Sequence, residues 1–231
     1  MNIGQHISQE YNDELEDLRN QVLSMGGLVE EQFSDASQAL LNGKIELAQE
    51  VAKLDYKVNA MEVAIDEECA QIIARRQPTA IDLRNLFTII KVVTDLERIG
   101  DESEKIARFA SELLTDAKSM NFYKNLKHMA SIARNMLTDA LDCYARLDAK
   151  KALEISSMDV EIDAEFENLN RLLTTYLLED TKNIESTLKV TWCARSIERV
   201  GDHAKNICEY VVYVVHGKDI RHVDDKEHET K

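Results

Sequence analysis

Asp95-Leu96-Glu97-Arg98-Ile99-Gly100-Asp101 recurs almost unchanged as Ser196-Ile197-Glu198-Arg199-Val200-Gly201-Asp202. The Glu, Arg, Gly and Asp are identical in the two copies, and two further positions exchange one aliphatic side chain for another. Glu198 follows Glu97 by 101 residues, which is about the length of a small domain. A signature repeated at this distance predicts a tandem duplication.

Each copy carries a Glu and an Asp at four-residue spacing, with a glycine directly before the Asp. On a helix this spacing places the two carboxylates on one face, with their Cβ atoms about 5–6 Å apart. A glycine inside a helix costs about 1 kcal/mol relative to alanine. Gly100 and Gly201 therefore predict a place where another backbone or a ligand comes close to the helix.

The composition is that of a helical protein with a buried core. Hydrophobic residues make up 44% of the 231 residues and charged residues 31%, with only seven glycines and one proline, so we expect long helices and few turns. The formal net charge of −15 argues against nucleic acid as a partner, because binding to it requires a basic face. It argues equally against docking on anionic lipid headgroups. An acidic excess is compatible with cation binding or with a basic partner surface.

The amino terminus and the cysteines predict a cytoplasmic protein. Residues 1–6 lack the apolar core of a signal peptide, and no apolar run approaches the roughly 18 residues of a membrane span. The cysteines show neither a CxxC pair nor the spacing of a zinc site. We expect reduced thiols, mostly in the core. The four are Cys69, Cys143, Cys193 and Cys208.

Hydrophobic periodicity predicts six amphipathic helices with short connections. Gly43 suits the left-handed position after the first helix. Pro78 ends the second helix, and Asp148 is a candidate N-cap of the fifth. The predicted helices cover about residues 7–41, 44–76, 80–117, 122–147, 149–178 and 184–216.

Six helices split three and three predict an all-α fold of two tandem three-helix bundles related by pseudo-twofold symmetry. We expect the first bundle over residues 1–118 and the second over residues 119–217. Residues 218–231, which are rich in Asp, Glu, His and Lys, are predicted to form a disordered tail. Its histidines, His222 and His228, are too sparse to predict a metal site.

A second alignment adds polar residues from neighbouring helices to the repeated signature. Residues 55–60 on the second predicted helix match residues 159–164 on the fifth, 104 positions later. Four oxygen-bearing side chains meet in each half if the polar pairs on its two helices face each other. Such a cluster repels itself unless protons or a cation neutralise it, and its oxygens suit Mg²⁺, Mn²⁺ or iron. The candidate ligands are Asp55, Asn59, Glu97 and Asp101 in the first half and Asp159, Asp163, Glu198 and Asp202 in the second.

Chance and ion pairing offer another interpretation of the same acids. With 43 acidic residues in the chain, about eight acidic pairs at this spacing arise at random. Arg98 and Arg199, which follow the two glutamates, could neutralise them as structural ion pairs between helices. Both interpretations stay open on the residues alone. His203 follows Asp202, but its counterpart is Glu102, so we expect it at the surface or in support of a ligand.

The two signatures resemble those of the PhoU family of phosphate-transport regulators. The stretch Ala74-Arg-Arg-Gln-Pro-Thr-Ala-Ile-Asp-Leu-Arg84 at the start of the third helix resembles that family too, as do residues 25–30 and 66–69. The resemblance covers about residues 5–220. The second half lacks the Pro-x-x-Asp-Leu-Arg stretch and has residues 180–185 in its place, so the halves are expected to offer different partner surfaces.

The resemblance implies two tandem three-helix repeats in a cytoplasmic protein that often forms a homodimer and has no known catalysis. It implies repression of the phosphate-starvation response when phosphate is plentiful. The implied partners are the ATPase subunit of the phosphate ABC transporter and the sensor histidine kinase that controls the response, so that membrane contact is only indirect.

The family's E(D)xxxD motifs bind metal in some members. They match Glu97 with Asp101 and Glu198 with Asp202 here, and the resemblance therefore implies Mg, Mn, Fe or Zn ions as cofactors. Asn59 stands where a second acid is usual, which lowers the charge of the first site.

Three functions compete. The first is an adaptor that represses signalling, which we favour. The second is a carboxylate-bridged metalloenzyme or metal-storage protein; an enzyme needs an open coordination position and a general base beside the metal. No histidine lies three residues after Glu97 or Glu198, as the di-metal carboxylate bundles require. The third is a purely structural helical scaffold.

Overall fold

The computed structural model describes residues 9–113, 122–179 and 184–220. Within these ranges the chain forms seven α-helices and no β-strand, so the predicted all-α fold is confirmed. The helices are α1 (Gln9–Asn42), α2 (Ile45–Arg76), α3 (Ala80–Leu113), α4 (Tyr123–Arg146), α5 (Ala149–Ser156), α6 (Asp159–Glu179) and α7 (Ile184–His216).

The fifth predicted helix is wrong in one respect, because it is interrupted between α5 and α6. The Ser157 hydroxyl donates to the Glu154 carbonyl oxygen at 2.6 Å, and the Met158 N–H donates to the Ile155 carbonyl oxygen at 2.9 Å. These bonds tighten the backbone into a turn. Asp159 consequently lies in the first turn of α6, where the helix dipole favours a negative charge.

The helices form two bundles that share a long contact. α1, α2 and α3 pack on one another, while α4, α5 and α6 pack around α7. The signature helices α3 and α7 pack against each other between the bundles, and α1 contacts α4. Arg84 lies 5.6 Å from the ring centre of Tyr213, and Lys189 pairs with Glu112 at 3.2 Å, so α3 and α7 run antiparallel. An antiparallel contact between equivalent helices is what a pseudo-twofold axis perpendicular to them produces.

The apolar spacing that predicts α1 lines the core. Leu18, Val22, Met25, Val29 and Phe33 have no exposed surface. All four cysteines are free thiols and buried. Burial raises the pKa of the Cys69 thiol to about 12, so this sulfur stays protonated near neutral pH.

Several predictions concern residues outside the described ranges. The boundary between residues 118 and 119 lies in 114–121, and His222 and His228 lie in 221–231. The domain bounds and the disordered tail therefore stay predictions. No helix among the described residues is both long and apolar enough to cross a membrane.

Candidate functional site

Three predicted ligands of the second repeat meet where α6 crosses α7. Asp159, Asp163 and Asp202 each place a carboxylate oxygen within 4.8 Å of the others. In the described part of the chain this is the group of metal-ligating side chains that comes close enough to share one ion. Asp202 also lines a groove of about 700 Å³ together with Lys205, and this groove gives an ion a path from solvent.

Two buried oxygens at this cluster have no hydrogen-bond donor. Lys205 donates to Oδ2 of Asp159 at 2.6 Å, while Oδ1 of the same carboxylate is buried without a partner. Arg195 donates to Oε1 of Glu198 at 2.5 Å, and Oε2 is again buried without a partner. Buried polar atoms in native proteins are normally bonded, so the donor set fits a cation that uses these free oxygens.

The carboxylates of the second cluster repel one another. Burial, followed by repulsion from Asp202, raises the pKa of Glu198 to about 7, although Arg195 pulls it down. Burial also raises the pKa of Asp202, with repulsion from Asp159 and Asp163 as the next causes. A divalent cation would relieve this repulsion, since it replaces a proton as the neutralising charge.

The first repeat brings its four predicted residues together more loosely. Asn59 donates to Oδ2 of Asp55 at 3.3 Å. Burial raises the pKa of Glu97, and repulsion from Asp101 and Asp55 adds to it. In the described ranges, however, the acids of this site do not meet within 4.8 Å as the second-repeat aspartates do. Buried oxygens of Asp55 and Asn59 lack a donor here too, so this site also fits a cation.

Glu62 lies near the first cluster, outside the set of candidate ligands, and the sequence did not single it out. It lies on α2, and burial raises its pKa, with repulsion from Glu97 as the next cause. Its position three residues after Asn59 on the same helix was the available signal.

The two signature glycines lie where neighbouring helices approach closely. A Cβ atom on Gly100 would lie 3.2 Å from Oε1 of Gln32 and 3.3 Å from Cγ1 of Val58. A Cβ atom on Gly201 would lie 3.2 Å from two carbons of Ile162. The predicted close approach is therefore correct, but side chains of other helices make it, not a backbone. Glycine lets α2 and α6 lie directly against the signature helices.

The two signature arginines pair with different acids, and these partners test the ion-pair interpretation. Arg98 lies 3.4 Å from Glu97 and 3.6 Å from Asp101, so it neutralises these acids within α3 and not between helices as that interpretation proposed. Arg199 instead reaches across to Glu102 on α3, with Nη1 2.8 Å from the carboxylate. In the second repeat the acids are paired by Arg195 and Lys205, which the sequence reasoning did not single out.

His203 connects the two repeats rather than lying at the surface. Its Nδ1 lies 2.6 Å from Oδ1 of Asp95, and Asn206 donates to the same oxygen at 3.1 Å. Asp95 is 6% exposed. The available signal was the first position of the signature, where the copies differ: Asp95 in one and Ser196 in the other.

Both copies of the signature lie in regions that match a known protein family. The family model of the PhoU domain matches residues 22–110 and 126–211. The chain is similar to the phosphate-specific transport system accessory protein PhoU homolog of Pseudomonas putida, with 50% identity over 218 residues, 94% of this chain and 85% of that protein. It is 46% identical to the accessory protein PhoU of Escherichia coli over 227 residues, 98% of this chain and 94% of that protein.

Two crystal structures share the fold. The structure of PhoU from Pseudomonas aeruginosa has a TM-score of 0.88 and 47% identity, covering 90% of this chain and all of that one. The structure of the phosphate transport system regulatory protein PhoU from Streptococcus pneumoniae has a TM-score of 0.83 and 30% identity, covering 91% of this chain and 99% of that one.

Proposed function

This chain belongs to the PhoU family, and on that premise we propose that it is a negative regulator of the phosphate-starvation response. Its relatives are named accessory proteins of the phosphate-specific transport system, and it has a role in phosphate transport as a non-enzymatic protein. The observation that carries the proposal is the match along nearly the whole chain, including both copies of the signature.

The regulator acts as an adaptor between two proteins. In this proposal one helical surface meets the sensor histidine kinase of the phosphate response, and another meets the ATPase subunit of the phosphate ABC transporter. The protein works in the cytoplasm as a homodimer and reaches the membrane only through these partners. Two unequal repeats support this arrangement, because they offer two different surfaces from one duplicated fold. The metalloenzyme alternative has no comparable support among the relatives.

The carboxylate clusters hold divalent or trivalent cations in the same proposal. Their donors are oxygens, which suit Mg²⁺, Mn²⁺ or iron, and carboxylates also accept Zn²⁺. The support is the set of buried oxygens without donors in both clusters. An ion there would join α2 to α3 in the first repeat and α6 to α7 in the second.

The regulatory proposal predicts that removing the signature acids relieves repression. In phosphate-rich medium, a phosphate-starvation reporter should be silent in wild type and active in a deletion. A variant with Glu97, Asp101, Glu198 and Asp202 changed to alanine should activate it as strongly as the deletion does, because the ions can no longer bind. Reporter activity is the measurement, and circular dichroism checks that the variant folds.

A second acid pair provides the control for this experiment. Glu46 and Glu50 have the same four-residue spacing on α2 but are exposed, so changing both to alanine should leave the reporter silent. A silent reporter in the deletion would remove the regulatory proposal. A folded four-acid variant that still represses would move the function from the clusters to the helix surfaces.

Cation binding predicts a gain in stability from Mn²⁺. At a Mn²⁺ concentration 100 times the Kd, binding to one site stabilises the folded state by about 2.7 kcal/mol. Thermal unfolding in EDTA and in MnCl₂ measures this gain. Changing Asp159 and Asp163 to Asn should remove most of it, since two negative charges leave the cluster. Changing Glu161 to Gln should keep the gain, because Glu161 lies between them on α6 but is exposed. Equal gains in both variants would contradict the site.

A further inference from the structure

Gln32 on α1 is a fully buried amide without any hydrogen bond. Its exposed fraction is 0%, and neither Nε2 nor Oε1 has a partner. Burying an amide without compensating hydrogen bonds destabilises the folded state. A side chain of this kind in a helical core therefore requires an explanation other than packing.

The amide lies at the first-repeat cluster. Oε1 of Gln32 is 3.2 Å from the point that a Cβ atom on Gly100 would occupy, and Oδ1 of Asp55 is 3.7 Å from the same point. The Asp55 oxygen is itself buried without a donor, as is Oδ1 of Asn59. Unsatisfied polar atoms from α1 and α2 thus gather beside Gly100 on α3.

The second repeat has an apolar side chain in the same place. Around Gly201 the neighbours are Ile162 and Sδ of Met136, the latter 3.8 Å from the Cβ position. Met136 follows Gln32 by 104 residues, the same interval that separates Asp55 from Asp159. Met136 is also fully buried. Packing at this position is therefore possible with a thioether, and the first repeat carries an amide instead.

We propose that the Gln32 amide oxygen is a cation ligand of the first repeat. With it, the site draws oxygens from α1, α2 and α3 and suits a hard divalent cation such as Mn²⁺ or Mg²⁺. This inference rests on the proposed cation sites and is independent of the repression function. The full set of donors is Gln32, Asp55, Asn59, Glu97 and Asp101.

The proposal makes the two repeats chemically unequal. The first site offers three carboxylates and two amide oxygens, and the second offers four carboxylates. Fewer negative charges mean weaker binding of a hard cation, so the first site should be the weaker of the two and should depend on its uncharged oxygens. Gln32 supplies an oxygen without a charge, where Asn59 has already replaced an acid.

An ion bound to Gln32 also acts on the contact between repeats. α1 packs against α4 of the second repeat, where the Thr138 hydroxyl donates to Glu30. A Cβ atom on Gly26 would come within 2.6 Å of Leu141, so the two helices touch closely. Holding α1 against α2 and α3 through an ion therefore stiffens the helix that joins the bundles.

The test is Mn²⁺ binding to the purified full chain, measured by the loss of the free-ion paramagnetic resonance signal. Wild type should show a stronger and a weaker class of site. Gln32→Met, which installs the residue of the second repeat, should weaken the weaker class at least about tenfold and leave the stronger class unchanged. Met136→Leu should change neither class.

A second variant separates a ligand from a merely structural amide. Gln32→Glu keeps the oxygen and adds a charge, so it should tighten the weaker class while lowering the melting temperature in EDTA. Unchanged Mn²⁺ binding in both Gln32 variants would overturn the proposal, as would wild type that binds no Mn²⁺. Because the readout is ion binding, a failure of the reporter experiment leaves this result intact.

Discussion

Changing Glu198 to Gln should stabilise the metal-free protein at pH 8 by on the order of 3 kcal/mol and should have little effect at pH 4. The folded-state pKa of Glu198 is about 7, against an ordinary value of 4.5, and each pKa unit corresponds to about 1.4 kcal/mol. Burial is the largest cause of this shift, and repulsion from Asp202 is the next. Glutamine keeps the shape of the side chain and can still accept the bond from Arg195.

The direction of the pH dependence follows from the raised pKa. Below pH 4.5 the carboxyl is protonated in both the folded and the unfolded state, so its charge has no effect on stability. Between pH 4.5 and pH 7 the unfolded state loses its proton first, and the folded state becomes progressively less stable. Above pH 7 the cost of the buried charge is complete, and it is this cost that the Gln variant removes.

Urea unfolding in EDTA across pH 4 to 8 measures the difference. Glu14 provides a control of opposite sign, because its hydrogen bond to Arg76 lowers its pKa. Glu14→Gln should destabilise the protein at neutral pH and lose its effect as the pH falls through the pKa of the folded state. Equal stability of wild type and Glu198→Gln at pH 8 would mean that water reaches the carboxylate. Saturating Mn²⁺ should reverse the advantage of the Glu198 variant, because the ion needs the charge.

The acids of both candidate sites could be found from the sequence because the two repeats can be aligned with each other. Asp159 and Asp202 lie on different helices, yet their equivalence to Asp55 and Asp101 marks them as one pattern. The ends of the first two helices were also predictable, because Gly43 and Pro78 end a helix through their own backbone conformation. The break before α6 was not, because the sequence there is still compatible with a helix.

The basic side chains and the buried amide at these sites could not be assigned from the sequence in the same way. Lys205 reaches Asp159 only because α6 crosses α7 at a particular place, and helix periodicity does not specify where helices cross. Gln32 was visible as a polar residue three positions after Val29 on the apolar face of α1. Its role depends on the residues that it contacts across the bundle, and only the packing of the helices shows which these are.

The residues that face each arginine across the contact explain why the two signature arginines have different partners. Arg98 and Arg199 occupy the same position in the two signatures, but α3 offers Glu102 to Arg199 whereas α7 has His203 at the equivalent position. The antiparallel contact therefore has an acid for one arginine only. On one side of the pseudo-twofold axis a partly exposed arginine reaches a buried carboxylate of the other repeat, and on the other side the arginine pairs only with acids of its own helix.

Changing Arg199 to Met should consequently lower the free energy of unfolding by about 2 kcal/mol, while Arg98→Met should change it by less than about 1 kcal/mol. Glu102 has 3% of its side chain exposed; its Oε1 lies 2.8 Å from Nη1 of Arg199 and accepts a hydrogen bond from Lys105 at 3.0 Å. Leaving a buried acceptor without its partner typically costs about 1–3 kcal/mol; Arg199 itself is 42% exposed, and Lys105 retains part of the interaction. Arg98 is 53% exposed, where ion pairs contribute about 0–1 kcal/mol.

Urea unfolding of the two variants at pH 7 in EDTA measures this difference. A double variant, Arg199→Met with Glu102→Gln, should recover part of the loss, since the buried charge left without its partner is then gone. Equal small effects of Arg199→Met and Arg98→Met would show that Glu102 becomes hydrated when its partner is removed. A large effect of Arg199→Met that the second change rescues would establish that the buried carboxylate on α3 makes the contact between the repeats depend on Arg199.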